Sequence, residues 1–172
     1  MDSRNNYFEL FGLPVDFLLD RSLLQARYLA LQQRFHPDRH AGRSGQEQRL
    51  AVQSAAWVNQ ANETLRSPVR RAEYLLQLAG RAPSGDETIN DSGFLMQQMA
   101  LRERLADIPA EAEPAAALDE LESRVRTALA ALEAEFAGAY REDNLSRAGE
   151  LLLKMQFYHK LLSEVVELED EL

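Results

Sequence analysis

At 172 residues and a net charge of −9, the chain has room for one sizeable core or two small ones, and its 28 Leu and 24 Ala against 7 Val, 2 Ile and 3 Thr predict an all-α fold. The lack of cysteine excludes a disulfide framework, a zinc ribbon and a thiolate-held cluster, while short apolar runs and a start without a basic-then-apolar leader predict a soluble, unexported chain with no membrane partner. Residues 1–80 carry ten Arg against eight Asp and Glu, but residues 81–172 carry nine Lys and Arg against twenty acids, a local charge of −11 that argues against nucleic acid as a partner of the second half.

Tyr7 to Phe11 reads as a short helix stopped by Gly12. From Asp20, which can cap a first turn, to His36, Leu24, Tyr28, Leu31 and Phe35 recur on one helical face, and Pro37 forces the stop because the residue before proline avoids the helical region. Asp38 to Gly45 has no periodicity and reads as a loop. Gln46 to Leu65 predicts a second long helix, with Leu50, Trp57, Val58, Ala61 and Leu65 on one side and Ser67-Pro68 closing it. Two such helices joined by a short loop should pair antiparallel. Pro68 to Leu78 is a further short helix with Gly80 just past its end.

The turn-rich residues 81–92 predict a linker between a domain over 1–80 and another over 93–172. The second should be an antiparallel three-helix bundle of Gly93 to Ile108, Ala115 to Arg141 and Asn144 to Glu169. Its middle helix has one apolar stripe, Leu118, Leu121, Val125, Leu129, Leu132, Phe136 and Tyr140. The outer helices have two each. Phe94, Leu101, Leu105 and Ile108 share one side of the first, whereas Leu95, Met96 and Met99 fall on another beside Glu103 and Asp107. The last helix sets Leu145, Ala148, Leu152, Met155, Leu162 and Val166 against a second row of Leu153, Phe157 and Leu161. Both rows cannot face one small core. The second rows either pack on the linker or the first domain, or form an apolar docking patch rimmed by carboxylates, for which flexible methionines are suited.

His36-Pro37-Asp38 falls at the tip of the predicted hairpin, where a rigid scaffold can present it. It could simply end the helix. His36, Asp38 and His40 could instead bind a metal, as in a metal-dependent hydrolase, but Pro37 breaks the helix that an i, i+4 ligand pair needs, and no further His lies near in sequence. No Ser, His and carboxylate spacing suggests a nucleophile, and no Gly-rich loop could cradle a phosphate.

Tyr7-Phe8-Glu9-Leu10-Phe11-Gly12-Leu13, Arg34-Phe35-His36-Pro37-Asp38-Arg39, Val58-Asn59-Gln60-Ala61, Thr64-Leu65, Pro68, Arg71 and Tyr74 occur in an order and spacing that resembles a J-domain, the module that stimulates ATP hydrolysis by seventy-kilodalton heat-shock chaperones. There is no Gly/Phe-rich linker or cysteine repeat. Instead Arg71-Ala72-Glu73-Tyr74-Leu75-Leu76, Phe94-Leu95-Met96 and Leu101-Arg102-Glu103 resemble the HscB family of iron–sulfur co-chaperones, over the whole chain.

The resemblance implies a non-enzymatic protein with no cofactor of its own and two partners. An HscA-type chaperone would meet His36, Pro37, Asp38 and a basic face of Arg27, Arg34 and Arg39, extended by Arg43. An IscU-type scaffold would meet Leu95, Met96, Met99, Glu103, Asp107 and Phe157. The position after Met99, often acidic in the family, is Ala100 here. The arginines could alternatively pair with Asp20, Glu47 or solvent. Two other readings keep the first domain but give it a different client, or make the apolar patch a self-association surface. The start Met favours the bacterial cytoplasm over the mitochondrial matrix.

Overall fold

A computed structural model describes residues 6–36, 42, 44–81, 89 and 91–171. Its helices are α1 (Tyr7–Leu10), α2 (Arg21–Phe35), α3 (Gly45–Arg66), α4 (Pro68–Leu78), α5 (Ser92–Asp107), α6 (Pro114–Arg141) and α7 (Leu145–Glu171), with a 3₁₀ turn over Ile108–Ala110. No strand occurs among the described residues. Two compact units divide the chain, Met1–Leu75 and Leu76–Leu172. Most of the expected linker, residues 81–92, lies outside the described residues.

In the first unit each helix start is built locally. Asn6 and Glu9 close a reciprocal capping box on α1, Ser44 and Glu47 close one on α3, and the Asp20 carboxylate accepts from the amides of Ser22 (2.8 Å) and Leu23 (3.0 Å) at the start of α2. The carboxylates of Asp20 and Glu47, considered above as partners for the arginines, are thus engaged as caps. Gly12 ends the first turn at φ 62, a left-handed conformation open to glycine without strain.

A four-residue helix is too short to persist alone, and α1 is held by tertiary contacts. Phe8 is fully buried, the Tyr7 ring stacks on Tyr74 at 4.4 Å and meets the edge of Trp57 at 5.0 Å, and the Tyr7 amide donates to the Tyr74 hydroxyl (3.0 Å). The buried Arg71 guanidinium donates to the Leu65 carbonyl and lies 4.7 Å from the centre of the Phe17 ring, tying α4 to the end of α3 and to the segment before α2. Tyr7, Arg71 and Tyr74, part of the J-domain-like pattern, are therefore architectural.

The α2–α3 hairpin pairs as expected, and the Tyr28 hydroxyl donates to Asn59 Oδ1 (3.1 Å) across it. Its apolar faces need correction. Val58, Ala61 and Leu65 are fully buried, but Leu50 is 51% exposed and Trp57 37%. The buried side of α3 centres on Ala51, Val58, Ala61 and Leu65, roughly a quarter turn from the line through Leu50 and Trp57. Beyond Leu24 on α2 and before Ala51 on α3, no described residue is buried, so the outer part of the hairpin rests on half-buried contacts such as Tyr28, Leu31 and Phe35.

In the second unit α6 and α7 form a long antiparallel hairpin joined at Glu142 to Asn144, with Asp143 at φ 57 and Asn144 accepting from the Arg147 amide (3.1 Å). Arg147 bridges back to Glu135 (2.9 Å) at the turn end. Against this pair α5 contributes Phe94 and Leu101, followed by Ile108, to a core shared with Leu118, Leu121, Val125, Tyr158, Leu161 and Val165. The α6 stripe is as expected, with Leu118, Leu121, Val125 and Phe136 buried.

The last helix differs from expectation in two places. Leu161 is fully buried in the core, and Val166 is 44% exposed. The buried side of α7 rotates along its length: Ala148, Leu152 and Met155 mark it near the turn, whereas Tyr158, Leu161 and Val165 mark it where α5 joins the core. One fixed stripe cannot describe a helix whose packing partners change.

Candidate docking surfaces

Two separate surfaces carry the candidate residues. On the first unit, Arg27 and Arg34 are exposed, seven residues apart on α2 and so on the same side of it. The Arg34 guanidinium lies 5.5 Å from the centre of the neighbouring Phe35 ring. His36 is exposed and ends α2 with φ −59 and ψ 129, the extended geometry that the following proline demands. Pro37, Asp38 and Arg39 lie outside the described residues, as do His40 and Arg43. The structure therefore places the first residue of the tripeptide at the end of the helix and leaves its other two undescribed. Among the described residues no group of three His, Asp or Glu could hold a metal ion, and two of the three residues of the alternative metal reading, Asp38 and His40, fall outside them.

On the second unit, α5 separates its two apolar rows. Phe94 and Leu101 are 7% and 4% exposed, whereas Leu95, Met96 and Met99 are 44%, 72% and 65% exposed. At 100° per residue the second row points nearly opposite the first, so no rotation of the helix could bury both. Glu103 and Asp107 continue the exposed side by one and two turns, and both are exposed. Three adjoining apolar side chains in water beside carboxylates make the kind of patch that protein partners cover.

Phe157 is more embedded than its place in a second row suggested. It is half-buried, with its ring edge-on to Phe94 (5.8 Å) and Tyr158 (5.5 Å), at the shoulder between core and surface. Leu153, one turn earlier, lines an open cleft with Lys154 and Asp91. Burial pushes the Tyr158 hydroxyl pKa up, as expected for a ring enclosed in the core.

The start of α5 is pinned to α7. Asp91 caps the helix by accepting from the Phe94 amide (3.0 Å), and its other carboxylate oxygen takes Lys154 Nζ at 2.7 Å. The Lys154 hydrogen bond, followed by that of the Phe94 amide, holds the Asp91 carboxyl below its usual range. Lys154 also lies 5.0 Å from the centre of the Phe94 ring. At the other end Arg104 pairs with Glu111.

Sequence reasoning assigned Arg102 no role, although it quoted the residue as part of a motif. Its guanidinium lies 5.5 Å from the centre of the Phe157 ring and 3.5 Å from a Glu164 oxygen. The available signal was its position on the Leu95–Met99 side of α5; its partners on α7 depend on tertiary register.

Comparisons of the whole chain with known proteins converge on one family. Residues 90–166 match the family described as the HSCB C-terminal oligomerisation domain. The chain is 44% identical over 168 residues to the Co-chaperone protein HscB homolog of Vibrio cholerae, with 97% of this chain and 98% of that protein covered. Among solved structures, Chaperone HscB from Vibrio cholerae superposes with a TM-score of 0.86 at 44% identity, covering 97% and 99% of the two chains. Human co-chaperone protein HscB gives 0.90 at 32% identity, covering 100% and 86%. The all-α architecture is that of a J-domain followed by a C-terminal helical bundle. Among the described residues, no helix is long and apolar enough to cross a membrane.

Proposed function

From the premise that the chain belongs to the HscB family of co-chaperones, we propose that it stimulates the ATPase of a dedicated HscA-type chaperone and delivers an IscU-type scaffold to it during iron–sulfur cluster assembly. Residues 1–80 would be the chaperone-facing J-domain, 81–92 the linker and 93–172 the scaffold-binding domain, acting in the bacterial cytoplasm. The observation that carries this reading is the outward-facing Leu95, Met96 and Met99 on a unit separate from the one bearing His36.

His36, Pro37 and Asp38, with Arg27, Arg34 and Arg39 steering the encounter, engage the chaperone; the catalytic groups belong to that partner. A co-chaperone of this kind accelerates hydrolysis only if it binds the hydrolysis-competent state better than the other. The scaffold, carrying its cluster as cargo, docks on Leu95, Met96 and Met99, with Phe157 at the shoulder and Glu103 and Asp107 at the rim. Having both sites on one chain raises the effective concentration of client at the chaperone.

The test is steady-state ATP hydrolysis by a cognate HscA-type chaperone with this protein, with an IscU-type scaffold, and with both. Stimulation by the pair beyond the product of the separate effects is expected. Stimulation indifferent to the scaffold would overturn client delivery, and no stimulation would overturn the J-domain role. The oligomerisation wording of the matched family favours a second reading, self-association through the same patch. Sedimentation at several concentrations separates the two, since a docking patch for another protein leaves the free chain monomeric.

A further inference from the structure

We propose that Arg102 is a positioning residue for scaffold recognition: anchored by Glu164, its guanidinium covers one side of the Phe157 ring and fixes the orientation in which the scaffold meets it. The inference rests on the docking role proposed for Phe157 and adds the means by which that ring is held.

Phe157 has two aromatic neighbours on its inner side, Phe94 and Tyr158, which meet it edge-on at interplanar angles of 80° and 71°. The ring itself remains partly exposed. A half-buried phenylalanine on a helix can reach solvent by changing rotamer unless something covers its outer side. Arg102 reaches across from α5 to supply that cover, 5.5 Å from the ring centre, a distance at which the negative face of the ring attracts a cation.

The arginine head is fixed in turn by Glu164 at 3.5 Å. Glu164 follows Phe157 by seven residues, two turns along the same side of α7, so ring and carboxylate form a line that the planar guanidinium can span. Both side chains of this ion pair keep contact with water, at 46% and 29% exposure, and pairs of this kind add little to folding stability. Their placement has its effect on the docking surface: Arg102 shares the outward side of α5 with Leu95 and Met99.

The experiment measures binding of an IscU-type scaffold by calorimetry to the full chain and to Arg102→Met, Arg102→Lys, Phe157→Ala and the Arg102→Met/Phe157→Ala double variant. Methionine keeps the apolar stem and removes the cation. Arg102→Met should weaken binding about two- to fivefold, the range of an exposed cation–ring contact. It should cost nothing further once Phe157 is alanine, and Arg102→Lys should restore most of the loss. In the free protein, aromatic NMR signals of Phe157 should broaden or double in Arg102→Met and in Glu164→Gln, while the unfolding midpoint hardly moves.

An equal loss from Arg102→Met with and without Phe157 would mean the guanidinium touches the scaffold directly, and would overturn the positioning role alone. Unchanged Phe157 ring signals would overturn it as well. Unaltered binding by Phe157→Ala would overturn the docking role of Phe157 and the proposal with it.

Discussion

The two faces of α5 can be tested against each other with Met96→Ala and Leu101→Ala. Leu101 is 4% exposed in the bundle core, and shortening such a leucine leaves a cavity that costs about 2–5 kcal/mol of folding stability. Met96 is 72% exposed, so most of what a methionine gains by leaving water is unrealised in the free protein. Full burial is worth about 1.5–3 kcal/mol, and the fraction still open on docking corresponds to about 1–2 kcal/mol, a five- to thirtyfold weaker complex once the side chain is removed. Its effect on folding should stay within about 0.5 kcal/mol. Urea unfolding followed by circular dichroism measures stability, and calorimetry with an IscU-type scaffold measures binding. Met96→Ala should move only the second, and Leu101→Ala should move the first. If Met96→Ala destabilised the chain by more than about 1 kcal/mol, or left scaffold affinity intact, the assignment of this face to docking would be refuted.

Asp38→Asn should abolish ATPase stimulation and keep scaffold affinity, whereas Phe157→Ala combined with Met96→Ala should do the reverse; the same chaperone assay and calorimetry would expose any variant that loses both. The lowered Asp91 pKa makes a signed pH prediction: its stabilising contribution is complete above the usual carboxylate value of 3.8 and is lost as pH falls through the lower folded value. The stability difference between the natural chain and Asp91→Asn, in which asparagine still caps α5, should therefore be largest near neutrality and shrink as urea curves are taken toward pH 3. Two glycines should respond oppositely to alanine. Gly12→Ala should destabilise by about 1–2 kcal/mol because of its left-handed backbone, and Gly138→Ala, in the last turn of α6 with open space around the added methyl, should stabilise by about 0.5–1 kcal/mol, both read as shifts in urea midpoint.

How much was legible in the sequence depended on whether local chemistry decided the outcome. Pro68 to Leu78 has its start and stop written in Ser67-Pro68 and Gly80, and its observed ends coincide with those expected. That Leu95, Met96 and Met99 lie apart from the core row of α5 followed from angular position, whereas their exposure, as against cover by the linker or the first domain, came from the structure. Leu161 and Val166 exchanged places because α7 turns its buried side as its neighbours change, a tertiary effect that a constant 100° step cannot register. Leu50 was misplaced because a paired hairpin with no third layer over its outer part leaves apolar side chains in water, and Trp57 because its partner is the Tyr7 ring of α1, off the line of Val58 and Leu65. The role of Arg102 required a distance between two helices, which sequence spacing does not contain.

The clasp between Tyr7 and Tyr74 joins residues 67 apart, and the whole helical hairpin is strung between them. Trp57, the third ring of the clasp, stands twelve residues from the start of α3 at Gly45, so the hairpin projects about 18 Å beyond its fastening. No described side chain of that projecting part is buried outward of Ala51. Mechanically it is a cantilever, fixed at its root and lightly braced along its span. The accuracy with which His36 is presented then depends on how stiffly the far end is packed, by the three rings together with buried Phe8, Val58, Ala61 and Leu65, because a small angular slackness there is multiplied by the length of the arm.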